Sequence, residues 1–147
     1  MRNLEIIKVN NIKDLDKCLN IREAVFTKEQ GISKEIEVDN CDSLNNNCIH
    51  FLIKYKNIDV GTIRCLFLEN NTIKLQRFCF LKEYRSLGIG KKTLQYVENY
   101  FKERKIKFIK LDAQYQVYEF YWKCGYSKNS DIFMEANIKH IEMIKEI

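Results

Sequence analysis

Lys82-Glu83-Tyr84-Arg85-Ser86-Leu87-Gly88-Ile89-Gly90-Lys91-Lys92 is the stretch that decides the fold. An apolar, strand-like run (Ile73 to Leu81) leads into it, and a helix-like run (Ile89 to Arg104) leads out. A strand that feeds a glycine-containing turn into a helix N-terminus is a device for holding phosphate. Glycine lets the backbone approach the ligand and take positive φ. The free N–H groups of the first helical turn point at the anion, helped by the helix dipole. Arg85, Lys91 and Lys92 add positive charge.

Two familiar phosphate loops do not fit. A G-x-x-x-x-G-K-[ST] loop with Gly90-Lys91 as its G-K pair would need glycine at Arg85 and a hydroxyl at Lys92. A dinucleotide G-x-G-x-x-G would need glycine at Thr93 and a first βα unit near the chain start. The pattern that is met is Arg-x-x-Gly-x-Gly, Arg85 to Gly90.

With 147 residues the chain has the length of one domain, residues 1–147. It is 46% hydrophobic and 31% charged, enough to bury a core and keep a polar surface. No apolar run approaches the ~18 residues of a membrane span, and Met1 to Glu5 lacks an apolar signal core. The net charge of +5 suits an anionic ligand, but the basic residues are scattered among acids, which argues against nucleic acid as partner. The six cysteines form no C-x-x-C pair, and His50 and His140 stand far apart, so zinc spacing is absent and no metal is expected. Reduced thiols and a cytoplasmic location follow.

In chain order, Leu4 to Val9 reads as a strand. Asn11 is an N-cap for an amphipathic helix running from Ile12 to near Gly31. An acidic segment follows, with Glu35, Glu37, Asp39 and Asp42, then Asn45-Asn46-Asn47. It reads as a solvated loop or a grip for a cation or amine. Cys48 to Tyr55, Val60 to Phe67 and Thr72 to Leu81 form a meander of strands. After the loop and its helix come a short strand (Phe108 to Ala113), an aromatic helix (Gln114 to Cys124) closed by Gly125, and one or two final strands. Those last strands flank Asn137-Ile138-Lys139-His140. Hairpins mixed with one βαβ crossover give an α+β domain on a mixed sheet.

This order of elements resembles that of the GNAT acetyltransferase superfamily. So do Arg85 to Gly90, Leu75 to Arg85 as a fourth strand running into its loop, Leu111 to Gln114 as a fifth strand, and Phe120-Tyr121-Trp122-Lys123-Cys124-Gly125-Tyr126. Arg22 to Gly31, the acidic loop, His50 and Phe133 to His140 resemble one branch of it. Ser86 and Leu87 stand where the family often has a glycine and a basic residue, and Lys139 where this branch commonly has proline.

The resemblance implies a mixed, mostly antiparallel sheet flanked by helices, with strands four and five splayed for acetyl-CoA. It places the carrier on Phe78, Cys79, Phe80, Arg85, Ser86, Leu87, Gly88, Ile89, Gly90, Lys91, Gln114, Tyr121 and Lys123. Tyr121 is the implied acid for the leaving thiolate, with a backbone N–H near Phe78 for the oxyanion. Glu135 and His140 are the candidate bases, with Glu29 and His50 behind them. Arg22, Glu29, Gln30, Arg64 and Arg77 are candidates for holding a small-molecule amine, and the arginines alternatively for pairing with the acidic loop. The implied activity is acetyl transfer from acetyl-CoA to a primary amine by direct attack, with glucosamine 6-phosphate as first acceptor to test. A non-catalytic acetyl-CoA-binding module and a protein or peptide acetyltransferase are the alternatives, and a homodimer is compatible with the chain.

Overall fold

The computed structural model describes residues 1–44 and 47–147; Asn45 and Asn46 of the acidic segment lie outside the described residues. Its strands are β1 (Leu4–Lys8), β2 (Cys48–Tyr55), β3 (Ile58–Leu68), β4 (Thr72–Phe80), β5 (Phe108–Gln114), β6 (Ser127–Lys128), β7 (Phe133–Glu135) and β8 (Ile138–Glu146). Its helices are α1 (Ile12–Arg22), α2 (Lys34–Glu37), α3 (Ile89–Lys102) and α4 (Tyr118–Lys123). The sheet runs β1-β2-β3-β4-β5-β8-β6, with β7 also paired to β8. Among the described residues, only β4 and β5 pair in parallel. This is the expected α+β arrangement, a mostly antiparallel mixed sheet flanked by helices. β8, the C-terminal strand, lies between β5 and β6 of its own chain. Among the described residues, no helix is long and apolar enough to cross a membrane.

Without proline, asparagine sets many of the boundaries. Asn11 Oδ1 accepts the Asp14 amide at 2.8 Å and caps α1. The hairpins turn at Lys56-Asn57, at Glu69-Asn70-Asn71 and at Ala136-Asn137, where Lys56, Asn57, Asn70, Asn71, Ala136 and Asn137 take the positive φ that tight hairpin loops use. The last of these corrects the sequence reading. The turn precedes Ile138, so His140 stands on a strand.

One sheet face buries Leu15, Cys18, Ile21 and Val25 against Leu52 and Cys79. The other packs Leu94, Val97, Phe101 and Tyr121 against Phe51, Ile73, Leu75, Ile109 and Leu111. β4 changes faces midway. Thr62 pairs with Cys79 and Arg64 with Gln76, so Ile63 alone stands opposite Arg77-Phe78. The extra residue is accommodated by φ +53 at Arg77. A one-residue slip swaps the faces. Phe78 and Phe80 thereby join the α3/α4 side with Ile73 and Leu75, while Cys79 packs under α1. Beyond the bulge β4 leaves its parallel neighbour. The two pair from Thr72↔Phe108 to Leu75↔Leu111 only.

Three further departures shape the cleft that results. The first helix does not run unchanged to Gly31, because α1 passes into a π-helical turn, Glu23–Glu29. There the Gln30 N–H donates to the Val25 carbonyl at 3.0 Å, five residues back. The wider turn re-aims the residues at its tip. The aromatic helix begins at Tyr118, after a tight turn at Tyr115–Val117, and Gln114 ends β5. The acidic segment is not simply solvated, since Glu37 is buried and the Asp42 carboxylate is enclosed.

Candidate active site

The loop after β4 has the backbone its glycines suggested. Gly88 N-caps α3 at φ +81, a conformation in which any Cβ is strained, and Ser86 sits at φ +63. No side chain caps the helix, and its first backbone bond is Lys92 N–H to Gly88 O at 3.3 Å. The N–H groups of Ile89, Gly90 and Lys91 are therefore unspent within the helix, a seat for an anion. The side chains divide differently. Ile89 is buried in the core, so only its amide is available, and Leu87 points to solvent. Lys123 lies outside the main cleft, in a small depression with Lys91 and Lys145.

From this loop a cleft of about 960 Å³ runs between the parted strands to the β7–β8 hairpin. Phe78, Phe80 and Phe120 form one wall, with ring centroids 5.4 Å (Phe78–Phe80) and 6.5 Å (Phe78–Phe120) apart. Gly61 on β3 pairs with Phe80. A Cβ there would meet the Phe80 ring at 2.5 Å and the Cys79 carbonyl oxygen at 2.9 Å. The glycine is the space the ring occupies.

The tip of the π-helical turn bridges the two arms. Glu29 receives both terminal nitrogens of Arg85 at 2.6 and 2.7 Å, on the β4 side. Gln30 and Gln114 exchange amide hydrogen bonds of 3.1 and 2.8 Å, on the β5 side. Arg85 also donates Nε–H to the Phe80 carbonyl at 3.0 Å. Its guanidinium is thus committed to protein partners, and of the cations that line the cleft among the described residues Lys91 is the one without a carboxylate partner. The same hydrogen bonds hold the Glu29 carboxyl below its ordinary range, so Glu29 is a poor base.

Tyr121 and the Glu135/His140 pair both line the cleft. Burial pushes the Tyr121 phenol up, so it holds its proton near neutrality and has an O–H to offer. His140 Nδ1 lies 2.8 Å from the Ile138 carbonyl. A carbonyl only accepts, so Nδ1 carries the proton and Nε2 of the neutral ring offers a lone pair. Glu135 Oε2 stands 3.6 Å from that Nε2, placed to pair with the ring once it has taken a proton. His50 is elsewhere. It is buried, its Nε2 lies 3.0 Å from the Cys41 carbonyl, and its Nδ1 has no partner among the described residues.

The arginines separate. Arg22 is 1% exposed and binds the Glu37 carboxylate at 2.9 Å and Asp42 at 2.6 and 3.0 Å. Arg64, also buried, binds Asp39 at 2.7 and 3.0 Å and Asp42 at 3.0 Å. Neither lines the cleft, which corrects their reading as acceptor ligands in favour of pairing with the acidic loop. Arg77 does line it, but holds the Glu37 carboxylate at 2.9 Å and the Glu37 carbonyl at 3.1 Å. The sequence reading missed Ile32 and Ile36 as lining residues. Their i, i+4 spacing inside a charged segment was the available signal. Among the described residues no cluster with metal-binding character occurs.

The acetyltransferase (GNAT) domain family matches residues 22–147. The uncharacterized protein YyaT of Bacillus subtilis is 40% identical over 98% of this chain and 97% of its own length. Escherichia coli ElaA has a similar fold, with a TM-score of 0.85 at 21% identity over 97% of this chain and 99% of its own. So does the PaiA N-acetyltransferase from Thermoplasma acidophilum, solved with coenzyme A, with a TM-score of 0.76 at 22% identity over 98% and 99%. The family match over most of the chain, on a sheet whose β4 and β5 part beside an uncapped helix start, makes this protein an acetyltransferase of the GNAT family.

Proposed function

We propose that the enzyme transfers the acetyl group of acetyl-CoA to the primary amine of a small molecule by direct attack within a ternary complex. The carrying observation is the cleft itself. It starts at unspent amides, follows an unpaired strand edge and ends at a histidine with an available lone pair. The residues fit the carrier. The amides of Ile89 to Lys91 and the Lys91 ammonium suit a diphosphate, and the free edge of β4 from Gln76 to Phe80 suits the amides of a pantetheine arm. PaiA, which shares the fold, was solved with coenzyme A.

In the reaction a C–N bond forms and the thioester C–S bond breaks. His140 Nε2, directly or through water, takes the proton the attacking nitrogen must lose. An amide of the β4 bulge near Phe78 faces the oxyanion. The Tyr121 hydroxyl donates to the departing sulfur. No cysteine is required as nucleophile, and burial pushes the Cys79 thiol well up. Six free thiols suit a cytoplasmic site of action. Glucosamine 6-phosphate, the acceptor put first by the resemblance and the available arginines, loses support because Arg22 and Arg64 are enclosed by carboxylates.

Thiol release from acetyl-CoA with an amine panel tests the reading. Turnover with at least one small amine is expected, and absence of turnover with all of them despite cofactor binding would refute it. Tyr121→Phe should lower kcat about 100-fold or more while coenzyme A affinity stays within about twofold. An unchanged kcat would remove Tyr121 from the chemistry.

A further inference from the structure

Resting on the acetyl-transfer reading, the charge balance of the cleft narrows the acceptor. Among the described residues that line it, three cations are matched by three carboxylates. Lys74 is bound to Asp112 at 2.9 Å, Arg77 to Glu37 at 2.9 Å and Arg85 to Glu29 at 2.6 Å. Two charges have no such counterpart. Lys91 lies at the loop, where the diphosphate belongs. Glu135 lies at the opposite end, 58% exposed, with only the His140 ring beside it. The acceptor end therefore offers one free carboxylate and no free cation.

One wall of the same cleft is apolar. Phe26 from the π-helical turn, with Ile32 and Ile36 from the segment after it, faces the cleft, and Ile36 is 59% exposed although it is a large aliphatic residue. A phosphate or carboxylate on the acceptor would have to draw Arg77 or Lys74 from a carboxylate already within bonding distance. A second ammonium, as in a polyamine, would find no second free carboxylate and would lie against hydrocarbon. We infer that the acceptor is a monoamine with a hydrocarbon body, alkyl or arylalkyl, that carries no anionic group. Its ammonium is recognised by Glu135 beside His140, and its body rests on Phe26, Ile32 and Ile36.

Steady-state thiol release with hexylamine, phenethylamine, cadaverine, spermidine, lysine and glucosamine 6-phosphate tests this. A monoamine should show the highest kcat/KM, by about tenfold or more, the discrimination a hydrocarbon pocket supplies. Ile36→Asp changes an exposed position. It should lower kcat/KM for phenethylamine by about tenfold and raise it for cadaverine, with the KM for acetyl-CoA unchanged. Preference for glucosamine 6-phosphate, lysine or spermidine overturns the inference and leaves acetyl transfer standing. Turnover with none of the amines overturns acetyl transfer and the inference with it. Indifference of the phenethylamine-to-cadaverine ratio to Ile36→Asp overturns the assignment of the wall.

Discussion

Replacing Arg22 by methionine removes the centre of the buried ion network and leaves a nearly isosteric stem. Arg22 now satisfies Glu37 Oε2 at 2.9 Å, both oxygens of Asp42 at 2.6 and 3.0 Å, and the Glu37 carbonyl at 2.9 Å. Arg22, Arg64 and Arg77 balance Glu37, Asp39 and Asp42, so the substitution leaves an uncompensated buried carboxylate. Breaking a buried pair in this way costs about 3–5 kcal/mol, a large part of the ~5–15 kcal/mol of a typical domain. Burial alone would raise the Asp42 carboxyl, but the hydrogen bonds from Arg22 and the Asp39 amide and the two arginine charges outweigh it and hold it well below its ordinary value. An Asp depressed in the folded state binds its proton first in the unfolded chain, at about pH 3.9. The wild type therefore holds this stability above that pH and loses it as acid is added. In Arg22→Met the depression is largely gone, so the difference between the two proteins should shrink on going from pH 7 to about pH 3, below the unfolded carboxyl's pKa. Urea unfolding followed by circular dichroism at both pH values measures this. Adding Asp42→Asn to Arg22→Met restores the charge balance and should recover a substantial part of the loss. A cost below about 1 kcal/mol at pH 7, or one that does not shrink with acid, would refute the buried-charge reasoning.

Three other outcomes follow from the same geometry. Glu29→Gln releases Arg85 towards the diphosphate and should tighten coenzyme A by roughly two- to fivefold in low-salt calorimetry, the scale of an exposed pair; weaker binding would show that Glu29 instead organises the loop. Gly61→Ala drives a methyl into Phe80 and should cost about 1–3 kcal/mol in thermal unfolding while weakening coenzyme A binding. Burial holds the His50 ring below the ordinary imidazole range, the hydrogen bond to Cys41 opposing, so the unfolded chain takes the proton first and stability falls as pH drops below about 6.5; His50→Gln should flatten that part of a melting curve taken against pH.

The loop, its helix and the order of elements were legible because they are written locally. The glycine needed at φ +81 is a glycine, and the asparagines that turn the hairpins stand at the turns. The bulge was not legible. Leu75-Gln76-Arg77-Phe78-Cys79-Phe80 alternates as if Phe78 and Phe80 shared a face with Gln76, and only pairing with β3 shows that Arg77 absorbs the extra residue. The arginines were equally ambiguous. Nothing local tells Arg22 that its partners lie 15 and 20 residues on, in a segment whose composition reads as solvated. Ile36 was passed over for the same reason, because its neighbours are charged.

The bulge, the parted strands and the π-helical turn solve one problem together. Past Leu75, β4 no longer pairs with β5, and an unpaired strand edge is costly to bury and ready to pair with whatever reaches it. Left alone, two such edges of one sheet would zip together. The bulge prevents that by rotating Phe78 and Phe80 onto the face where Phe120 meets them, which fills the fork with rings. The π-helical tip then fixes the width of the opening, one residue bound to each arm. A gap held open in this way asks for a ligand that is itself strand-like, with amides spaced along a narrow arm and a charged head at the Gly88 turn. Backbone geometry thus prepares the cleft for a carrier, and under the proposed function Glu135 and His140, which line the same cleft as Ile36, select the amine that completes the transfer.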